Sequence, residues 1–112
     1  MSQKYTSQAA LDVMAEVRDE VYQQEQPVVL VTVVRAVGSN PQQVGARMLL
    51  LSDGGLRGTV GGGRIESHVI KDAQQLLEST AEAHKVISYN LQAIGMTCGG
   101  VMDFFFERIE PA

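Results

Sequence analysis

The stretch that most constrains the fold is VVLVTVVRAV, residues 28–37, in which β-branched side chains occupy most positions. β-Branched residues favour an extended backbone. A continuous apolar run, as opposed to an alternating one, indicates a strand that is buried on both faces. We therefore expect residues 28–37 to form an inner strand of a sheet whose two faces are both covered.

The segments on either side of this strand predict the remaining elements. Apolar residues recur at helical spacing at Ala10, Met14, Val17 and Val21, and this predicts an amphipathic helix over residues 8–25 that ends before Pro27. The pattern also predicts a second helix over 64–80 and further strands over 46–52, 56–60, 85–91 and 101–109. The order α-β-β-β-α-β-β predicts one α+β domain, residues 1–112, in which two helices cover a mixed sheet of about five strands.

The sequence also predicts the cellular setting. No apolar run approaches the ~20 residues of a membrane-spanning helix, and the polar start MSQKYTSQAALD does not suggest a secretory signal. The lone cysteine, Cys98, cannot form an internal disulfide. We therefore expect a cytoplasmic protein without a membrane partner.

Charge is distributed unevenly along the chain, whose net charge is −4. Residues 35–64 carry Arg35, Arg47, Arg57 and Arg64 against Asp53 alone. The planar guanidinium group suits bidentate contacts with phosphate or carboxylate, so this block is either an anion-binding centre or a set of scattered surface arginines. The chain shows no basic face interleaved with aromatic residues, and we expect no nucleic-acid partner.

Three consecutive glycines, Gly61, Gly62 and Gly63, lie between the third strand and the second helix. A G-x-G-x-x-G dinucleotide fingerprint would require a glycine at position 66, which is glutamate, and the lysine of a phosphate-binding P-loop is also missing. What remains is a turn with bare backbone N–H groups at a helix N-terminus, which attracts anions.

Glu66 lies on the same side of the second helix as Ile65, Val69 and Ala73. One interpretation is structural: with Gly63 as the N-cap, Glu66 occupies the third helical position and closes a capping box. The other is functional, since this carboxylate would order the glycine turn or accept hydrogen bonds from a ligand. The two interpretations are compatible.

Cys98 lies in the second glycine-rich loop, GMTCGG, directly before Gly99 and Gly100. A lone cysteine is commonly a small buried apolar residue. Flanking glycines allow close approach of a ligand, and nearby N–H groups or an arginine would favour a reactive thiolate. We expect this loop to lie beside the triple-glycine turn.

Taken together, residues 33–66, VVRAVGSNPQQVGARMLLLSDGGLRGTVGGGRIE, and the later GMTCGG resemble the XdhC/CoxI family of molybdenum-cofactor accessory proteins. The resemblance rests on the glycine and proline of GSNP, then GARM, a turn, GTVGGG, Glu66 and finally Cys-Gly-Gly. It covers nearly the whole chain.

The resemblance implies an accessory protein, more a cofactor chaperone than an enzyme, that transiently binds the molybdenum cofactor (molybdopterin) and assists its sulfuration or insertion into a hydroxylase such as xanthine dehydrogenase. The implied roles are backbone donors at Gly61, Gly62, Gly63, Gly99 and Gly100, positive charge from Arg47 and Arg64, and loop ordering by Glu66. Cys98 would lie near the metal or the transferred sulfur, and no metal ion is expected to be bound by the protein itself.

The implied partners are an apo molybdenum hydroxylase and a cysteine desulfurase. Many family members continue into a Rossmann-like domain, so a separate partner of that kind or a homo-oligomer is also implied. Two alternatives remain open: a non-catalytic module that docks on a molybdoenzyme or sulfurtransferase, and a sulfur carrier in which Cys98 holds a persulfide.

Overall fold

The computed structural model describes residues 7–38, 44–60, 63–96 and 99–111. Helix α1 spans Ser7–Arg18 and continues into a π-helical segment, Asp19–Gln23. Strands β1 (Val28–Val37), β2 (Arg47–Leu51) and β3 (Leu56–Gly58) follow, then helix α2 (Gly63–Glu78) and strands β4 (His84–Asn90) and β5 (Val101–Ile109). The predicted α+β class and element order are confirmed. Among the described residues, no helix is both long and apolar enough to cross a lipid bilayer.

The strands form one sheet in the order β3-β2-β1-β5-β4, and all four neighbouring pairs are antiparallel. The expected mixed sheet is therefore wrong in this respect. The continuous apolar run of β1 is a pattern typical of parallel sheets. Here that run has another cause, because β1 is the central strand and a helix covers each of its two faces.

Two apolar clusters lie on opposite faces of the sheet. On one face, α2 buries Ile65, Val69, Ala73 and Leu76 against alternate residues of β1, β2 and β5. On the other face, α1 and its π-helical extension pack Val13, Val17 and Val21 against the intervening residues of β1 and β2. Side chains alternate between faces along a strand, so the same strands supply both clusters.

The first helix differs in detail from its prediction. Met14 is 48% exposed, whereas Val13 is 3% exposed and occupies the buried position. The helix ends at Gln23, after the π-helical segment in which the Gln24 N–H donates to the Asp19 carbonyl at 3.1 Å. A π-helical segment rotates the residues that follow it about the helix axis relative to a regular α-helix. The regular helical spacing used for the prediction does not include that rotation.

The third strand is shorter than predicted, since it ends at Gly58 and not at Val60. Gly58 has φ +74°, which turns the chain out of the strand. Val60 then becomes fully buried in the cluster beneath α2. Val60, which the sequence predicted as part of the strand, therefore anchors the turn that follows.

Arg108 on β5 fixes the other end of α2. Its guanidinium donates hydrogen bonds to the carbonyls of Leu76, at 2.9 Å, and of Ser79. It also forms an ion pair with Glu110 at 2.6 Å. A cation that satisfies the last carbonyls of a helix complements the negative end of the helix dipole.

Candidate functional site

The glycine-rich loops emerge at the same end of the sheet. The last residues of β1 and β4 both pair with Val101, the first residue of β5. Gly58, at the end of β3, pairs with Met48 near the start of β2. The β1–β2, β3–α2 and β4–β5 connections, together with the N-terminus of α2, therefore share one end, which we call the glycine-loop end.

Two of these connections approach each other closely at backbone level. A Cβ atom added to Gly38 would lie 2.8 Å from the Cα atom of Gly100, and one added to Gly100 would overlap the Val37 carbonyl oxygen. Both glycines have positive φ, +104° and +102°. Only glycine allows the exit of β1 and the entry to β5 to approach this closely.

Both described ends of the connection between β3 and α2 are held by contacts with the rest of the domain. Val60 is fully buried beneath α2. The Thr59 hydroxyl donates a hydrogen bond of 3.0 Å to Oε2 of Glu66, which is half-buried in the first turn of α2. Gly63, the first residue of α2, has φ +62°, and a Cβ atom there would face open space. The described ends of the turn are therefore anchored, and the space around Gly63 is open.

The β4–β5 loop is anchored to the core before it reaches its last glycines. Leu91 is fully buried, and Ile94 and Met96 pack against the cluster beneath α2. The Asn90 side-chain carbonyl accepts the Ala93 N–H at 3.1 Å, and the Leu91 carbonyl accepts the Met96 N–H at 2.9 Å. Residues 91–96 thus form a compact set of turns that presents Gly95 at the surface.

Arg64 connects the two glycine-rich regions. A Cβ atom added to Gly95 would lie 2.6 Å from a guanidinium nitrogen of Arg64. The guanidinium group at the start of α2 therefore lies directly against the backbone of the β4–β5 loop. The sequence predicted that these loops are neighbours, and the contact of Arg64 with Gly95 agrees with that prediction.

The four arginines of residues 35–64 divide into two groups. Arg35 forms an ion pair with Asp103 at 3.5 Å, and Arg57 forms one with Glu16 at 3.4 Å. Within the described ranges, Arg47 and Arg64 have no ion-pair partner. Arg64 lies in the first turn of α2, where the helix dipole adds positive potential. One of the two arginines without an ion-pair partner among the described residues therefore lies at the N-terminus of α2.

Arg47 does not join Arg64 on the same face. It alternates with Met48, whose side chain lies beneath α2, and thus shares the α1 side of β2 with Leu49. Both arginines are at the glycine-loop end, but on opposite faces of the sheet. Arg47 would need a ligand that reaches around the end of β2.

The other predicted site residues are placed as follows. Gly63, Arg64 and Glu66 begin α2, and Gly99 and Gly100 lead into β5, all at the glycine-loop end. Gly61, Gly62 and Cys98 lie outside the described residues.

Thr59 and Gly38 belong to the motifs of the resemblance but were not among the predicted site residues. Their contacts cross turns between elements, so neither belongs to a periodic pattern. The signal for Gly38 was its place in the GSNP motif, and Thr59 precedes the glycines in GTVGGG.

Comparisons with known proteins define the class to which this fold and site belong. The sequence model of the XdhC and CoxI family matches residues 21–90, more than half of the chain. The chain therefore belongs to the XdhC and CoxI family, which is linked to accessory functions for xanthine dehydrogenase.

Two individual proteins are similar to it. YqeB of Escherichia coli K12, whose name describes it as uncharacterized, is 35% identical over 88 residues. That match covers 76% of this chain and 16% of YqeB. A solved structure from Bacillus halodurans, described as a xanthine dehydrogenase (BH1974), aligns with TM-score 0.70 and 24% identity over 85% of this chain and 30% of its own, which supports the fold. The chain thus spans less than a third of either relative.

Proposed function

We propose that the protein binds the molybdenum cofactor at the glycine-loop end and assists its sulfuration or its insertion into a molybdenum hydroxylase such as xanthine dehydrogenase. The observation that carries this proposal is the Arg64 guanidinium, which has no ion-pair partner among the described residues and lies at the N-terminus of α2, against the Gly95 backbone. Membership of the XdhC and CoxI family supports the choice of ligand.

The chemistry of the described residues fits an anionic, phosphate-bearing cofactor. A helix N-terminus and a free guanidinium group both favour a phosphate, and an exposed glycine backbone allows it to approach N–H donors. Around Gly63 the volume that a Cβ atom would occupy is open. When bound, the cofactor would supply the dithiolene-held metal that receives a sulfur ligand.

Each residue has a defined role in this proposal. Gly61, Gly62 and Gly63 would donate backbone hydrogen bonds to the phosphate or pterin, together with Gly99 and Gly100. Arg64 would bind the phosphate directly, and Arg47 would contribute charge from the other face. Through its hydrogen bond with Thr59, Glu66 would hold the turn in the binding conformation.

Cys98 would lie near the metal, because it precedes Gly99 and Gly100 in the same loop. A cofactor chaperone does not need the thiol as a reactant, so Cys98→Ser would retain binding and delivery. A persulfide carrier would lose sulfur transfer in the same variant. The proposed partners are an apo molybdenum hydroxylase, to which the cofactor is delivered, and a cysteine desulfurase, which supplies sulfur.

The test is a titration of the purified protein with molybdenum cofactor released from a donor molybdoenzyme under anaerobic conditions, with bound pterin measured by fluorescence. We expect one cofactor per chain, and Arg64→Gln should weaken binding about tenfold to a hundredfold, the usual effect of losing a charged hydrogen bond. Arg57→Gln is the matched control, because its guanidinium is paired with Glu16 beside α1.

Absence of uptake by the wild-type protein would contradict the proposal and would favour a docking module. Equal weakening by the two arginine substitutions would show that binding depends on overall charge and not on the glycine-loop end.

A further inference from the structure

Strand β4 leaves one complete row of backbone hydrogen-bonding groups without a strand partner in the part of the chain that the structure describes. It is the last strand of the sheet and pairs only with β5. The Arg108 N–H donates to the Ala83 carbonyl at 2.7 Å, and the Leu91 N–H donates to the Gly100 carbonyl at 2.9 Å. Because these directions alternate along an antiparallel strand, residues 85, 87 and 89 face β5. The N–H and C=O groups of residues 84, 86, 88 and 90 therefore point away from the sheet.

This edge has few of the features that protect free edges. β4 has seven residues, no proline and an unbroken register with β5. Lys85 is its one lysine, and Val86 is 63% exposed. The opposite edge strand, β3, has only three residues and ends at a positive-φ glycine. Short strands, prolines, bulges and charges normally block pairing at an edge, so β3 is protected and β4 is suited to receive another strand.

We propose that β4 pairs with β4 of a second copy of this chain, antiparallel and about a two-fold axis at Ile87. In this register residue 84 lies opposite residue 90 and residue 86 opposite residue 88, so every outward-pointing group of the strand is paired. Ile87 lies opposite its own copy as a pair without backbone hydrogen bonds, where side chains approach most closely. The two sheets become one continuous sheet of ten strands.

Charge complementarity selects a second copy of the chain as the partner. In this register Lys85 of one copy lies opposite Tyr89 of the other. The Tyr89 hydroxyl donates a 2.5 Å hydrogen bond to Asp72 on α2, so a carboxylate lies next to the arriving ammonium group. Lys85 and Tyr89 of the same chain are four residues apart, ~13 Å along the strand. The lysine is thus better placed to meet the carboxylate of the other copy, and no like charges meet across the axis.

The proposed pairing leaves the glycine-loop ends free. In an antiparallel arrangement the two copies direct these ends in opposite directions, away from the axis. The inference is therefore independent of the proposed function, and a dimer that binds no cofactor would leave it intact.

The first test measures the mass of the full chain in solution by light scattering after gel filtration and by sedimentation equilibrium. The wild-type protein should have the mass of two chains. Val86→Pro removes one outward N–H without removing a β4–β5 hydrogen bond and should shift the mass to that of one chain. Val86→Thr is the matched control, since it keeps the N–H group and the β-branched shape, and it should remain a dimer.

The second test reports the register and does not require a proline in the strand. In a Cys98→Ser background, Ile87→Cys should form a covalent dimer under mild oxidation, because the two Cα atoms would be about 4.5 Å apart, within the range that a disulfide spans. Lys85→Cys lies on the same face, but its two copies would be ~13 Å apart, so it should not cross-link.

A wild-type protein that stays monomeric at every concentration would overturn the inference and would leave the edge available to a strand of another protein. A dimer that survives Val86→Pro, or that cross-links equally through positions 85 and 87, would overturn it as well.

Discussion

The close backbone contact between Gly38 and Gly100 leads to a specific prediction about what holds the glycine-loop end together. In Gly38→Ala the new methyl group would lie 2.8 Å from the Gly100 Cα atom. Because that neighbour is a backbone atom, it cannot move aside as a flexible side chain could. Relief of that overlap should cost about 1–3 kcal/mol, as overpacking does elsewhere. The positive φ of +104° adds about 1–2 kcal/mol for a residue with a Cβ atom. The expected loss is about 2–5 kcal/mol, a large part of the stability of a small domain.

The assay is urea unfolding followed by far-ultraviolet circular dichroism, with the free energy of unfolding extrapolated to water. Gly54→Ala is the matched control, because Gly54 has φ +90° but a Cβ atom there meets nothing within 4 Å. It should lose only the conformational contribution, about 1–2 kcal/mol. If the two variants lose the same free energy of unfolding, the close contact between Gly38 and Gly100 does not require glycine at position 38.

Three further predictions concern contacts on α2, each measured by the same unfolding assay. Thr59→Val should cost about 1–2 kcal/mol, because it removes the donor to the half-buried Glu66 carboxylate; a neutral result would mean that this hydrogen bond does not order the turn. Arg108→Leu should cost about 2–4 kcal/mol, because it leaves carbonyls at the helix C-terminus unpaired; a loss below 1 kcal/mol would contradict the assigned capping role. Burial and the adjacent Asp72 raise the pKa of Tyr89, so the folded state keeps the phenol proton. The stability that the protonated Tyr89 phenol contributes is complete below the unfolded-state pKa of about 10. It is lost as pH rises further, by up to ~1.4 kcal/mol per pH unit. Tyr89→Phe should remove this loss between pH 10 and 11, and an unchanged slope would contradict the assignment.

The sequence predicted the elements well wherever one periodicity dominated. The apolar face of α2 was predicted correctly because Ile65, Val69 and Ala73 follow regular helical spacing and are buried as expected. The side chains on α1 were less well predicted, since Met14 is exposed and Val13 is buried. The buried positions Val17 and Val21 are compatible with an apolar face that includes either Val13 or Met14. Contact with the sheet decides which of the two side chains is buried.

Pairing directions could not be predicted from the apolar pattern of β1. A strand covered on both faces has the same sequence signature in a parallel sheet and in an antiparallel sheet between two helices. The connections decide the matter, since the Asp53-Gly54 turn makes β2 and β3 antiparallel. Residues 91–100 connect β4 to β5 and are fewer than the dozen or more that a parallel crossover needs, so the last two strands are antiparallel as well.

The candidate site could be predicted in composition but not in geometry. The glycines, Arg64 and Glu66 were singled out because each is unusual in its local context. The contact of Arg64 with Gly95 and the hydrogen bond between Thr59 and Glu66 depend on how separate elements meet in space. Likewise, alternation along β2 places Arg47 on the face of the sheet opposite α2, and therefore opposite Arg64. The residue types alone do not indicate this difference.

The most direct test of the central claim is to map where the cofactor binds. The chain is small enough for two-dimensional ¹H–¹⁵N nuclear magnetic resonance, and the protein would be titrated with molybdenum cofactor under anaerobic conditions. We expect saturable chemical-shift changes of the Gly63, Arg64, Gly95 and Gly100 amides, while the signal of the Gly54 amide, at the other end of the sheet, stays in place. Shifts centred on Gly54, or none at all in the presence of excess cofactor, would contradict it.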